Sequence, residues 1–240
     1  MGSVNFQTPY GIIPALDLES FDEIRRIVEK TCDVEGVVGY KLGLAGSLRL
    51  GLANAVRAIR EFTQLPILYD HQKAGLDIPD MAEKFCAICS GAGVDALVLF
   101  PLAGPRALEA FVSHTRRHDL CPVVGGDFPM SEYKVNGGGY VAEDAPDRIR
   151  EKALSLGVHH FIVPGTDPEA VRRASDTLTA SVRQPALFLT GIGAMGGNIR
   201  EAFSAAPGCR CYAIVGRAVY ASADPKEAAK SLSFEALSFA

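Results

Sequence analysis

LPILYDHQKAGLDIP, residues 65–79, sets a short apolar run against a crowd of charges. Residues 66–69 have strand character and end abruptly in Asp70, Lys73 and Asp77. A helical pattern then begins at Pro79, a residue suited to the first turn of a helix. Two carboxylates and an ammonium at the carboxyl end of a strand are costly to dehydrate and add nothing to a core. They read either as casual charges on a solvated loop or as a catalytic cluster at the mouth of an α/β fold. The surrounding chain decides between the two.

Outward from this stretch the same unit recurs. GIIPAL (11–16) runs into Asp17 and a helical stretch over 21–30, and GVVGY (36–40) into Lys41 and a helix over about 47–62. Downstream, strands over 95–100, 121–124, 160–163, 186–189 and 212–215 each precede a helical pattern, with a long glycine-rich loop, NGGGYVAED (136–144), after the fifth. Several strands are continuous apolar runs, as expected where parallel strands are buried on both faces. Eight strand-then-helix units in 240 residues, with no linker between them, predict one domain over 1–240: an α/β fold, a single closed (β/α)8 TIM barrel. An open, doubly wound sheet is the alternative. In a barrel the strand C-termini carry the active site, which is where Asp17, Lys41, Asp70, Lys73 and Arg217 fall.

Composition narrows the function. Hydrophobic residues make up 48% and charged residues 22% of the chain, ordinary for a globular enzyme, and the net charge of −4 offers no basic face for nucleic acid. No apolar run approaches the roughly 18 residues that span a bilayer, and the first residues lack a secretory pattern, so a cytoplasmic protein is expected. Cys86 and Cys89 are spaced like half of a zinc site, but they sit inside a helical pattern, and Cys209 and Cys211 are not the usual second half. All four read as small buried hydrophobes, with no metal.

GIGAMGGN (191–198) carries the glycine spacing of a dinucleotide fingerprint, yet it follows the seventh strand, and Gly216 and Arg217 stand about 20 residues on where an acid belongs. In a barrel, the loops after strands seven and eight form a phosphate site. Gly193, Gly196 and Gly197, with Gly216 and Arg217, read either as two tight turns or, the favoured reading, as the site of a small molecule bearing one phosphate, held by backbone N–H groups and a guanidinium clamp.

At this point the chain resembles the orotidine 5'-monophosphate decarboxylase family, archaeal-like branch. The carriers are ALD at 15–17, YKLG at 40–43, DHQKAGLDIP at 70–79, GGYVAEDAP at 138–146, VPG at 163–165, GIGAMGGN, and IVGRAVYASADPKEAA at 214–229. The resemblance implies decarboxylation of orotidine 5'-monophosphate to uridine 5'-monophosphate in pyrimidine synthesis, without a cofactor. It implies a charge network of Lys41, Asp70, Lys73 and Asp77, with Lys73 as proton donor. Asp17 would hold ribose hydroxyls with Lys41, and Gly216 with Arg217 the phosphate. Asp77 and Ile78 would reach across a homodimer into the partner's site.

The chain departs from that family in three places. Its central motif has one extra residue on each side of Lys73, so that His71 rather than Asp70 takes the strict offset. Pro129 stands where the family carries a hydroxyl against the base, and Met195 where a glutamine bridges phosphate and base. Base recognition is then expected from backbone groups of the fifth loop or from Ser131. The departures keep two rivals in play: a sugar-phosphate lyase or decarboxylase of the same superfamily (hexulose-phosphate synthase or keto-gulonate-phosphate decarboxylase type), and a non-catalytic nucleotide-binding relative.

Overall fold

Side chains that alternate between two separate apolar cores build this molecule. Along the first strand Ile13 and Ala15 join an inner cluster while Ile12 and Leu16 join an outer one. Along the fourth, Ala96 and Val98 face in while Leu97 and Leu99 face out, and along the seventh Phe188 faces in while Leu187 and Leu189 face out. Both faces of each strand are thus buried, the physical reason for the unbroken apolar runs. The structure, a computed structural model, describes Val4, Phe6 and residues 8–240, and of Gln72 and Lys73 the backbone only.

Eight parallel strands close in sequence order into one barrel: β1 (Tyr10–Leu16), β2 (Tyr40–Leu42), β3 (Ile67–Ala74), β4 (Ala96–Leu99), β5 (Cys121–Val124), β6 (His160–Pro164), β7 (Ala186–Thr190) and β8 (Arg210–Val215). The predicted TIM barrel is therefore the observed fold, and the open sheet is excluded because β1 pairs with β8 from Tyr10↔Cys211 to Pro14↔Val215. The helices are α1 (Phe21–Thr31), α2 (Leu44–Leu50), α3 (Leu52–Arg60), α4 (Met81–Ala92), α5 (Pro105–Arg117), α6 (Ala145–Ser155), α7 (Pro168–Thr179), α8 (Ile199–Ser204), α9 (Arg217–Tyr220) and α10 (Pro225–Leu237).

Several boundaries differ from the sequence expectation, among them β2, which spans Tyr40–Leu42 rather than 36–40 and so includes Lys41. The helix expected over 47–62 is two helices, split where Gly51 takes a φ of 79° that no helix accommodates. The helix after β3 begins at Met81 rather than Pro79, because Met81 N–H and Ala82 N–H first close a turn onto the carbonyls of Ile78 and Pro79. Most consequential, β3 does not stop at Tyr69 but continues to Ala74. Tyr69 pairs with Leu97 and Ala74 with Leu99, so β3 takes five steps where β4 takes two. The surplus is a bulge holding Asp70, His71, Gln72 and Lys73, the kind of irregularity that re-aims side chains beside active sites.

The lower end of the barrel is sealed. The Phe6 ring lies 4.5 Å from that of Tyr212 and 5.5 Å from that of Phe188. Nearby, Cys121 Sγ and His160 Nδ1 share a 3.4 Å hydrogen bond between the first residues of β5 and β6. Burial pushes the Cys121 thiol up to about 12 and the His160 imidazole down to about 4, so both are neutral at pH 7. Cys86, Cys89, Cys209 and Cys211 are buried and free, and act as small apolar side chains. No helix of the described residues is long and apolar enough to cross a membrane.

Candidate active site

Three consecutive strands deliver the first charges to the upper end. Lys41 on β2 lies between Asp17, just past β1, and Asp70 on β3: its Nζ is 3.2 Å from Asp17 Oδ1 and 3.6 Å from Asp70 Oδ2. Lys41 is 7% exposed and Asp70 4%. An ammonium so desolvated needs its carboxylates close, since removing a partner from a buried ion pair is strongly destabilising. Asp17, by contrast, keeps much of its side chain in solvent and marks the open side of the cluster.

The motif YKLG acquires a reason residue by residue. Tyr40 turns outward, and its hydroxyl meets Thr31 Oγ1 of α1 at 2.8 Å, anchoring β2. Lys41 turns inward. Gly43 is a close-approach position: a Cβ there would lie 2.0 Å from Asp17 Oδ1, so only glycine leaves room for the Asp17 carboxylate beside Lys41.

On β3 the bulge separates two candidates for the acidic role. Asp70 faces Lys41, whereas His71 bonds the Tyr69 hydroxyl and its ring lies 5.5 Å from Phe85 of α4, on the outer layer. The Lys73 backbone continues the strand, and its side chain lies outside the described residues. Asp77 is exposed, its Oδ1 accepting from Ile78 N–H at 2.7 Å, so it stands outside the Asp17–Lys41–Asp70 bridge. Ile78 is 60% exposed, and Leu76 is similarly bare.

The glycine loop lies after β7, as expected, but its donors are spent differently. Gly191, Gly193 and Gly196 all take positive φ. Gly193 N–H bonds the Gly197 carbonyl, Gly196 N–H that of Gly193, and Gly197 N–H that of Gly191, all at 2.8–3.1 Å. These glycines therefore shape a closed turn rather than offer those N–H groups outward. The turn packs against the head of α9, where a Cβ on Gly193 would sit 3.1 Å from Ala218. Gly216 precedes that helix and Arg217, exposed, opens it.

Beyond β5 the structure adds residues to which sequence reasoning gave no role. Lys134 Nζ meets Asp127 Oδ2 at 2.7 Å, and Asp127 Oδ1 accepts from Phe128 N–H. The loop carrying them folds through two 3₁₀ turns, Ser131–Tyr133 and Val135–Gly137. Ser131 lies on the first, exposed. Tyr133 donates its hydroxyl to the Gly126 carbonyl, and desolvation pushes that phenol up to about 12. The one available signal was a lysine seven residues after an aspartate that itself follows a strand. Among the described residues, no three His, Cys, Asp or Glu side chains converge closely enough to hold a metal ion.

Comparison with known proteins places the fold and the sequence in one family. The orotidine 5'-phosphate decarboxylase of Methanosarcina mazei is 29% identical over 231 residues, covering 93% of this chain and 94% of that protein. That of Pyrococcus abyssi is 28% identical, covering 92% of this chain and 96% of that protein. Among solved structures, orotidine 5'-phosphate decarboxylase from Pyrococcus horikoshii OT3 superposes with a TM-score of 0.76 at 26% identity, over 94% of this chain and 99% of that one. Orotidine 5'-monophosphate decarboxylase from Methanocaldococcus jannaschii, complexed with the inhibitor BMP, has the same fold, with a TM-score of 0.80 at 24% identity over 94% and 98% of the two chains. The family model described as Orotidine 5'-phosphate decarboxylase / HUMPS family matches residues 11–232, and the chain belongs to that family.

Proposed function

We propose that this chain decarboxylates orotidine 5'-monophosphate to uridine 5'-monophosphate, in the cytoplasm and without a cofactor. The observation that carries the reading is Lys41 held between Asp17 and Asp70 at the ends of three successive strands. Arg217 clamps the phosphate beside the turn of Gly193, Gly196 and Gly197, with Gly216 at the head of α9. Asp17 and Lys41 hold the ribose hydroxyls. Asp70 lies beside the carboxylate on C6 of the pyrimidine. As the bond from C6 to that carboxylate breaks, carbon dioxide leaves and the electron pair stays on C6. The Lys73 ammonium, next along β3, delivers a proton to C6. Reactions this slow unaided need a barrier reduction towards the upper part of about 8–23 kcal/mol, so binding of phosphate and ribose must contribute beyond the ion pairs.

Asp77 and Ile78 serve the neighbouring subunit of a homodimer in this reading, which accounts for a bare isoleucine beside a bare carboxylate. Mixing Lys73→Ala with Asp77→Asn subunits tests it. Shared sites give each mixed dimer one intact site, so about a quarter of wild-type activity returns at one-to-one mixing. Sites built from one chain recover nothing.

The direct assay is loss of orotidine 5'-monophosphate absorbance with purified protein. A sugar-phosphate lyase or decarboxylase is the second reading, favoured by Pro129 and Met195, neither of which offers a side-chain donor to a base. Turnover of orotidine 5'-monophosphate that survives EDTA supports the first reading. Turnover of a sugar phosphate that EDTA abolishes supports the second.

A further inference from the structure

The ion pair of Asp127 and Lys134 has no part in the mechanism above. Resting on the nucleotide reading of the site, we infer that this pair reads the pyrimidine edge, Asp127 accepting from the ring N3–H and Lys134 donating to the neighbouring carbonyl oxygen at C4.

Direction comes first. A Cβ on Gly125 would meet Ile162 and the Phe100 ring, both in the inner core, whereas one on Gly126 would meet Ile149 and Pro146 of the outer layer. β5 ends at Val124, so strand alternation stops there, and Phe128, the neighbour of Asp127, packs against the inner cluster. The chain then folds over the mouth, because the Phe128 ring packs 5.2 Å from Phe100 and 5.0 Å from Tyr133. The Asp127 and Lys134 side chains are only 16% and 24% exposed, so the pair is held rather than waving in solvent.

Valence and charge fit next. Each Asp127 oxygen has one partner here, Phe128 N–H or Lys134 Nζ, and keeps a lone pair for a further donor. The Lys134 ammonium carries three donors and spends one on Asp127. Together they present an acceptor beside a donor with no net charge, the complement of a neutral imide edge. Ser131, expected to serve here, is exposed on its 3₁₀ turn, and Met195 is 52% exposed with only a thioether to offer.

Topology supplies the third argument. In the six-membered ring, N1 bears the ribose beside C6, and N3 lies across the ring from C6. With ribose at Asp17 on the β1 side and C6 at Lys41 and Asp70 on β2 and β3, C4, across the ring from N1, points towards β5, opposite β1. N3 points towards the following strands, opposite β2 and β3, so the N3–C4 edge faces the side of the barrel where the loop after β5 lies.

Calorimetric titration of uridine 5'-monophosphate, cytidine 5'-monophosphate and ribose 5-phosphate tests the assignment. Cytosine presents an acceptor at N3 and a donor at C4, so the wild-type protein should prefer the uridine nucleotide by about tenfold or more. Asp127→Asn, close to isosteric, should cut that preference at least about tenfold by weakening uridine and strengthening cytidine binding, with ribose 5-phosphate within about twofold. Lys134→Gln should narrow the preference in the same sense. Equal losses for all three ligands would make the pair a loop pin and overturn the inference, as would no change in any. A wild-type protein that binds ribose 5-phosphate as tightly as uridine 5'-monophosphate would overturn the nucleotide reading itself.

Discussion

At the mouth of the barrel Lys41 lies between Asp17 and Asp70, and Lys134 meets Asp127, whereas at the base Cys121 and His160 share one hydrogen bond as neutral groups. Both ends of the barrel carry polar side chains, Lys41 and Asp70 on β2 and β3 at one end and Cys121 and His160 on β5 and β6 at the other. The base is sealed by Phe6, Phe188 and Tyr212, and there desolvation drives ionisable groups to their uncharged forms. The mouth keeps its groups in opposite-charge partnerships with one member, Asp17, reaching solvent. In the proposed reading, polarity at the mouth serves the ligand. At the base it is tolerated, even to a buried His160 Nε2 with no hydrogen-bond partner among the described residues. The contrast predicts that damage at one end should cost catalysis and at the other stability.

The largest effect is expected from Lys73→Ala, which should lower turnover by about 10²–10⁴-fold or more while leaving uridine 5'-monophosphate affinity within about tenfold. Substantial residual turnover would mean that another group supplies the proton. Phe188→Ala at the base should instead reduce unfolding free energy by about 3–5 kcal/mol, read by denaturant titration, with nucleotide affinity unchanged in the folded protein. A matching loss of affinity would break the division between the two ends.

His160 sharpens the contrast through pH. Its folded-state value near 4 lies below the ordinary 6.5, so between those values the unfolded chain binds the extra proton. Its contribution is therefore whole above pH 6.5 and drains away as the pH falls to about 4, a loss of up to about 3 kcal/mol. Replacing His160 by Asn should flatten the stability profile across that window; an unchanged slope would assign the acid sensitivity elsewhere. The smallest effect belongs to Gly43→Ala. Its methyl group must displace Asp17 from Lys41. Asp17 is the partner already open to solvent and Asp70 still faces the ammonium, so nucleotide affinity should fall by about tenfold with little change in melting temperature. Unaltered affinity would show that Asp17 does not act from the position seen here.

The eight-unit barrel was legible because double-sided burial leaves a plain mark, unbroken apolar runs each followed by an amphipathic helix. Asp17, Lys41 and Asp70 were legible as charges placed just after such runs. The true length of β3 was not, because Asp70, His71 and Gln72 carry none of the alternation that announces a strand. Nor was the Asp127–Lys134 pair. Its contact depends on 3₁₀ turns folded so tightly that a Cβ on Gly137 would fall 1.7 Å from the Ser131 carbonyl, a closure with no periodicity to betray it. The inward use of the Gly193, Gly196 and Gly197 amides was hidden for a similar reason, since a glycine spacing reports where the chain turns and not which way its donors point.

The surplus in β3 bears on how such enzymes are searched for and how they diverge. A bulge absorbs inserted residues without shifting the pairings on either side, as Tyr69↔Leu97 and Ala74↔Leu99 are both kept. Spacing between residues within the bulge is then free to drift while the place of Asp70 against Lys41 is held by its neighbours. A text pattern demanding a fixed interval along β3 would pass over this sequence, although Asp70 still lies 3.6 Å from Lys41.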